Sequence, residues 1–579
     1  MKLTQYFPPS QWLKEYQPSW LRGDIVAGLT VGVMLIPQGM AYALLAGLPP
    51  IHGLYTATIS LIVYALLGTS RQLAVGPVAM ISILTAAGVG SMAPSGAEEF
   101  IALAILLAFM VGVIQFLFGV FRLGFIVNFL SHPVISGFTS AAALIIFFSQ
   151  LKHLLGIQIP RGTHLIDTIQ NTLSQTPQLL STAIGIIGIA LIALVKKFKP
   201  AIPGPLVIVA ISIIVVWGFR LDQYNLKIVE EVPQGLPDFS LPKLELSVIK
   251  ALFPTALAIA MVSFMQSIAA AKALELKHRN YKIIPNQELI SIGLANAVGA
   301  FFQGFPVAGG FARSAVNEQA GAKTGLASLI SAVLLIFTLL FLTPIFYYLP
   351  NTILAAIIIY AALNLINYKI AIELWHTHRT DFWLLLSTFF ATLLLGIEQG
   401  IGIGVILSIV MVIYKSSRPH IAELGKVPNT KIYRNVDRFN QLEELDDVLI
   451  VRFDASLYFA NQQYFRDQME ALIRKKGEKL ETVILSMECI SNIDSSGAAT
   501  LEDWVMDLKQ RGFAVFFTDV KGPIRDLFHR TGLTQRIGEE YFCLSIQNAV
   551  DYLSYPERLA EKRARLKTYA LQRNQKSKN

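Results

Sequence analysis

The chain has 579 residues, 54% of them hydrophobic and 15% charged, with a formal net charge of +9. A mean hydropathy of +0.53 excludes an ordinary soluble protein of this size, because the apolar residues gather into runs long enough to cross a bilayer. The basic excess is assigned to membrane loops and not to nucleic acid. Only two cysteines are present, Cys489 and Cys543, which excludes a disulfide framework. The nine histidines show no metal-ligand spacing, and no nucleotide-binding loop or catalytic constellation occurs. Neither an enzyme nor a resident metal or cofactor is expected.

Residues 1–20 are polar and aromatic and are expected at the cytoplasmic membrane surface. The first apolar run follows Asp24 and is long enough to span, so it reads as a retained helix and not a cleaved signal. Fourteen segments are expected to span or partly span within a membrane domain covering residues 21–416. In the first half they are 25–44, 53–68, 74–90, 99–121, 132–156, 180–197 and 203–219. In the second half they are 248–274, 285–304, 311–322, 325–345, 350–368, 381–397 and 399–416. With the N-terminus inside, the inner loops hold Arg71, Arg122, Lys196, Lys197, Lys199, Lys272, Lys277, Arg279, Lys282, Lys323, Lys369 and Arg379. The outer loops hold only Arg161, Arg220, Lys227 and Lys243. That asymmetry predicts cytoplasmic N- and C-termini.

Seven segments per half is an odd number, so the second half is inverted relative to the first. Inverted repeats place a transport site at the repeat interface near the bilayer midplane. The third segment of each half is short and opens on a Gly/Pro break. One break is Ala74-Val75-Gly76-Pro77-Val78-Ala79, and the other runs from Pro306 to Arg313. Paired broken segments at matching positions point to a transporter site; the plain alternative is two kinked structural helices.

Arg313 sits inside the second break with no Asp or Glu in the middle of any apolar span to pair with it. A short helix is expected to start near Phe311, and a helix N-terminus already carries about half a positive charge. Two positive features facing one point imply an anion, so the missing counter-charge is read as the transported substrate. Glu318 offers an alternative partner, but five positions on a helix lie roughly 140° apart.

Past the last span the composition turns polar. Residues 417–435 read as a charged linker, 436–555 as a compact α/β domain and 556–579 as a basic tail suited to solvent or to anionic lipid. Runs 448–453, 482–487 and 513–520 read as strands, and 462–475, 497–510 and 523–531 as helices. Asp494-Ser495-Ser496-Gly497 lies between a strand and a helix, where Asp or Ser caps the helix start.

Several motifs together resemble a known family. Pro49-Pro50-Ile51-His52-Gly53-Leu54-Tyr55, followed by Gly68-Thr69-Ser70-Arg71 and Gly76-Pro77, resembles the signature of the SulP (sulfate permease) family, relatives of solute carrier family 26. Ile36-Pro37-Gln38-Gly39-Met40-Ala41-Tyr42-Ala43 resembles its first transmembrane helix. Asn286-Gln287-Glu288-Leu289 and Phe311-Ala312-Arg313-Ser314-Ala315-Val316-Asn317 resemble its ninth and tenth. The Asp494–Gly497 turn resembles that of a STAS domain. The resemblance implies a polytopic α-helical membrane protein of two inverted seven-helix repeats, divided into core and gate subdomains. It also implies a cytoplasmic α/β STAS domain and a homodimer.

The helix starts at Gly76 through Ala79 and at Phe311 through Arg313 are expected to offer free backbone N–H groups to an anion. By the resemblance, Gln38 and Tyr42 complete the pocket, and the substrate-binding set is Gln38, Tyr42, Val78, Ala79, Phe311, Ala312, Arg313 and Ser314. Two positions depart from the family pattern. Ala312 stands where many members have Ser. Gln266 stands where proton-coupled members carry Glu, and an amide cannot titrate. By the same resemblance Ser496 would be the phosphorylated serine; the plainer reading is that the turn only caps its helix.

The expected function is secondary transport of small anions (sulfate, chloride, bicarbonate or a dicarboxylate) by alternating access across the cell inner (plasma) membrane. Exchange or uncoupled transport is favoured over proton symport. The alternatives are a proton- or sodium-coupled symporter, an anion channel, or a membrane-anchored STAS signalling protein.

Overall fold

Apolar runs inside a bilayer satisfy their backbone polar groups only as helices or closed barrels, and here they form helices. The computed structural model describes residues 8–90, 92–93, 98–125, 131–157, 169–172, 174–198, 203–278 and 281–576. The chain divides into two units, Met1–Ser408 and Ile409–Asn579. Of the basic loop residues counted above, Arg161, Lys199 and Arg279 lie outside the described residues.

The first half of the helical unit comprises α1 (Pro18–Ala46), α2 (Ile51–Leu67), α3 (Ala79–Gly90), α4 (Glu98–Val120), α5 (His132–Leu154), α6 (Leu179–Phe198) and α7 (Gly204–Phe219). The second comprises α8 (Leu246–His278), α9 (Pro285–Phe301), α10 (Phe311–Gln319), α11 (Leu326–Phe337), α12 (Asn351–Leu363), α13 (Tyr368–Thr377), α14 (Arg379–Leu395) and α15 (Ile397–Ser417). Among the described residues, eight helical stretches are long and apolar enough to cross a bilayer. Each of the fourteen expected segments holds a helix, and α11 runs on as a π turn and a 3₁₀ turn to Tyr348. Two differences stand out. Helix α1 starts at Pro18 and takes in buried Asp24, and α13 is an additional helix where a loop was expected.

The packing is that of a repeated structure. Setting α13 aside, each helix of the first half has a counterpart seven positions later. Helix α4 packs on α9, and the exchanged pair, α11 on α2, packs likewise. The pairs α8–α4 and α1–α11 are related in the same way, as are α5–α14 and α12–α6, while α5–α12 maps onto itself. Polar contacts follow the relation: Gln115 of α4 donates to the Ala260 carbonyl of α8 at 2.9 Å, and Ser331 of α11 donates to the Gly28 carbonyl of α1 at 2.7 Å. The expected inverted seven-helix repeats are therefore present.

The second unit is built on a six-stranded sheet of order β4-β3-β5-β6-β7-β8. The strands are β3 (Ile421–Lys426), β4 (Tyr433–Asn435), β5 (Val448–Phe453), β6 (Thr482–Ser486), β7 (Ala514–Thr518) and β8 (Phe542–Cys543). The last four run parallel, with β3 antiparallel to β5 and β4 antiparallel to β3. Alternation sends Leu449, Val451, Val483, Leu485, Val515 and Phe517 to one face, and Val448, Ile450, Ile484 and Phe516 to the other. Segment 417–435, expected as a linker, supplies two strands of this sheet. Its charges misled because buried Glu423 is neutralised by Lys475 at 3.1 Å. Both cysteines are free, and burial pushes the Cys543 thiol up to about 11.

Candidate functional site

The two Gly/Pro breaks meet. Val75 and Gly76 form β1, Ala308 and Gly309 form β2, and the two pair antiparallel, Val75 with Gly309 and Gly76 with Ala308. The Gly310 N–H donates to the Ala74 carbonyl at 3.0 Å, and the Ala74 N–H donates to the Ser314 hydroxyl at 2.9 Å. Helix α3 leaves one side of this bridge at Ala79 and α10 leaves the other at Phe311. Both helices also pack on α1 and on α8.

Buried polar groups of three long helices hold the bridge. From α8, Ser263 donates to the Val307 carbonyl at 2.7 Å and Ser267 accepts the Gly309 N–H at 2.7 Å. From α9, Asn296 accepts the Val307 N–H at 2.8 Å. From α2, Thr56 accepts the Phe305 N–H at 3.1 Å. The sequence reading passed over these residues. The one sequence signal was the i, i+4 pair of serines on an apolar helix, a small-polar pattern typical of close membrane contacts.

The first three N–H groups of α10 have no intrahelical acceptor, and no side chain caps that end. Phe311 is 49% exposed and Ala312 is also exposed, so the first two residues of α10 border accessible space. Val78 and Ala79 at the start of α3 are buried. Arg313 turns inward, 2% exposed, and its Nη1 donates to the Pro77 carbonyl at 2.5 Å. Among the described residues its Nε and Nη2 have no partner. Glu318 is engaged elsewhere, with Lys277 at 2.6 Å and His278 at 3.4 Å. Among the described residues no carboxylate pairs with Arg313. The guanidinium fits because two neighbours are glycines: a Cβ on Gly310 would lie 2.9 Å from Nη2, and one on Gly76 would lie 3.4 Å from it.

Gln38 and Tyr42 are both buried and lie one turn apart on α1. Tyr42 is within electrostatic range of Arg313. Among the described residues Gln266 has a buried, unpartnered Oε1. It sits between Ser263 and Ser267, which face β2, and Met265, which packs on Val134 of α5 and Leu384 of α14. At 100° per residue, that puts Gln266 on the strip of α8 between the bridge and the helices α5 and α14.

Ser314 differs from the expectation. Its buried hydroxyl is committed to the Ala74 N–H, so it positions the bridge. Removing that acceptor in Ser314→Ala leaves a buried N–H unsatisfied at about 1–3 kcal/mol. A lower melting temperature together with reduced anion uptake is the expected result; unchanged values in both assays would remove Ser314 from this role.

In the second unit, Asp494 caps α17 (Ser495–Gln510), the second helix there after α16 (Gln462–Lys476). One Asp494 oxygen accepts the Gly497 N–H at 2.7 Å and the other accepts the Phe459 N–H at 3.0 Å. Ser495 is exposed and Ser496 half-buried, and neither serine side chain takes part in the cap.

Comparisons with known proteins agree with this architecture. The sulfate permease family profile matches residues 21–388, and that of the STAS domain matches residues 440–551. The chain is 38% identical over 564 residues to "Sulfate transporter 4.1, chloroplastic" of Arabidopsis thaliana, covering 94% of this chain and 82% of that protein. It is 40% identical over 565 residues to "Probable sulfate transporter 4.2" of the same plant, covering 94% and 83%. The fold superposes on murine solute carrier 26 family member A9, an anion transporter solved in its inward-facing state. That match has a TM-score of 0.88 at 27% identity and covers 95% of this chain and 94% of that one. It also matches the transmembrane domain of the cyanobacterial bicarbonate transporter BicA in fold, with a TM-score of 0.59 over 68% of this chain and 98% of that one.

Proposed function

The chain belongs to the sulfate permease family, a family of transporters and not enzymes, and from that premise we propose that it moves small anions across its membrane by alternating access. One observation carries the reading: a buried arginine without a carboxylate partner stands behind two helix N-termini that start from one hydrogen-bonded bridge. A buried unpaired charge is costly unless something compensates it, and a transported anion does so during each cycle.

The anion rests against the N–H groups of Phe311 and Ala312 and the start of α3 at Val78 and Ala79. Gln38 and Tyr42 form the facing wall, and Arg313 acts through its charge from behind. Because Ala312 has no hydroxyl, the backbone supplies that contact. The core helices α1–α4 and α8–α11 carry the bound anion past a gate of α5–α7, α12, α14 and α15. Sulfate leads chloride, bicarbonate and dicarboxylates as the candidate, since relatives spanning most of the chain are named sulfate transporters. Gln266 cannot take up a proton, which favours exchange or uncoupled transport over proton symport. The protein works as a homodimer in the cell inner (plasma) membrane with both termini in the cytoplasm. Ser496, with its hydroxyl outside the cap, is available to a kinase.

Sulfate uptake into proteoliposomes tests this, with chloride, bicarbonate, succinate and fumarate as competitors, with and without a pH gradient. Saturable uptake that depends on a counter-anion is expected. Flux that does not saturate would indicate a channel, and no flux in any pairing would leave a STAS-centred signalling role. In the same assay Gln266→Glu installs a group that becomes neutral as pH falls, so its uptake is expected to rise toward acid pH while the parent stays flat. Superimposable pH profiles would remove position 266 from coupling.

A further inference from the structure

Helix α13 stands apart from the bundle it interrupts. Asn367 caps it, accepting the Ile370 N–H at 3.4 Å, and the helix stops at His378, where the backbone leaves helical geometry (φ −143°, ψ 82°). At 3.6 residues per turn its side chains fall into three stripes. Ile370, Ala371 and Leu374 are half-buried. Lys369, Glu373, His376 and Thr377 form a polar stripe. Tyr368, Ile372 and Trp375, spaced i, i+4, i+7, form the third, which is apolar and 65%, 55% and 43% exposed. No residue of α13 is buried.

Its position says what covers the apolar stripe. Helix α12 before it and α14 after it both pack on α5 inside the membrane bundle. Helices α12 and α13 together form one of the eight apolar stretches, but the chain leaves helical geometry over 364–367 between them, and the residues from there to α14 leave room for one surface helix and not for another crossing, which needs about 20 residues. Helix α13 is therefore tethered at both ends to the bilayer boundary. Trp and Tyr favour that boundary, and a helix with one apolar and one polar face lies in its plane. Exposed Trp383 extends the aromatic surface into α14. The Arg379 guanidinium stands 5.4 Å over the Trp375 ring, and Trp375 meets Phe382 edge-on at 5.0 Å. Lys369 and Arg379 thus put a cation near each end of the helix.

We propose that α13 is an in-plane membrane helix whose partner is the phospholipid headgroup boundary. Tyr368, Ile372 and Trp375 enter the acyl region, and Lys369 and Arg379 lie level with the lipid phosphates. It fixes the gate in height while the core moves. Only that last consequence rests on the proposed transport cycle, and the test reads no transport.

The full-length chain is reconstituted in phosphatidylcholine vesicles, and the emission lost in Trp375→Phe isolates Trp375. Phosphatidylcholine brominated near the top of the acyl chain is expected to quench that emission by about half or more, lipid brominated at the chain end less, and aqueous iodide little. Quenching by iodide alone would place α13 in water. Strongest quenching by the deep label would make it part of a span. Absence of quenching by any of the three would mean that protein, such as a second copy of the chain, covers the stripe. Each of these outcomes overturns the proposal.

Discussion

Replacing Arg313 with methionine is expected to abolish anion uptake while leaving thermal stability unchanged or raised. The two effects have one cause. The guanidinium is buried with two unpartnered nitrogens, and substituting a buried charge with an apolar side chain of similar volume is often neutral or stabilising. On the proposed reading the charge is retained for what it does to an anion. At ~6 Å and an effective dielectric of ~20, opposite unit charges attract by about 3 kcal/mol, so its loss weakens binding roughly a hundredfold. Arg313→Lys keeps the charge and is expected to recover part of the uptake. Paired measurements of melting temperature and initial sulfate uptake decide the matter. If the methionine variant melts far lower, Arg313 is a structural element; if it transports normally, the site lies elsewhere.

Gly53→Ala is expected to do the reverse, damaging the fold first and transport as a consequence. Gly53 of α2 faces Gly39 of α1 so closely that a Cβ would overlap the Gly39 carbonyl and come within 3.1 Å of the Met40 nitrogen. Backbone cannot rotate aside as a side-chain tip can, so the helices must separate. Overpacking of this kind costs about 1–3 kcal/mol and more where backbone moves. Gly39 adjoins Gln38 and lies one turn from Tyr42 on α1, so the displacement also pulls the facing wall off the site. A clear fall in melting temperature with loss of uptake is expected. Gly299→Ala, where nothing lies within 4 Å, is the matched control and should melt no lower than the parent. Equal behaviour of the two variants would show that α1 and α2 are not tightly apposed.

The breaks at Gly76-Pro77 and from Pro306 to Arg313 could be read directly because Gly and Pro interrupt an otherwise unbroken apolar pattern. Arg313 could be read for the same reason, as the one charge within the second break. What could not be read depends on partners remote in sequence. Asp24 looked like the end of a membrane segment, since a carboxylate there seemed to need water. It lies instead inside α1, accepting the N–H groups of Lys323 and Thr324 at 2.7 and 3.1 Å and the Thr324 hydroxyl at 2.7 Å. Serines in membrane helices commonly bond back one turn, as Ser267 also does to the Ser263 carbonyl, so the i, i+4 spacing of Ser263 and Ser267 did not by itself identify them as supports of the bridge. Ser314 was taken for a substrate contact because no sequence rule says which way one hydroxyl on a nine-residue helix turns. Helix α13 is too short for its period to stand out from loop, and its apolar stripe is shared with lipid.

The bridge between β1 and β2 has a thermodynamic consequence. The two helix starts proposed to receive the anion are bonded directly to each other, through the Gly310–Ala74 and Ala74–Ser314 contacts, and on the proposed cycle they move together. On the proposed cycle, a site that keeps its shape offers its cargo the same backbone contacts whichever compartment it faces. Such a carrier cannot enrich an anion by gripping hard on one side and loosely on the other. Any accumulation ratio it sustains is set by the membrane potential acting on the anion and, where a second solute shares the cycle, by that solute's gradient.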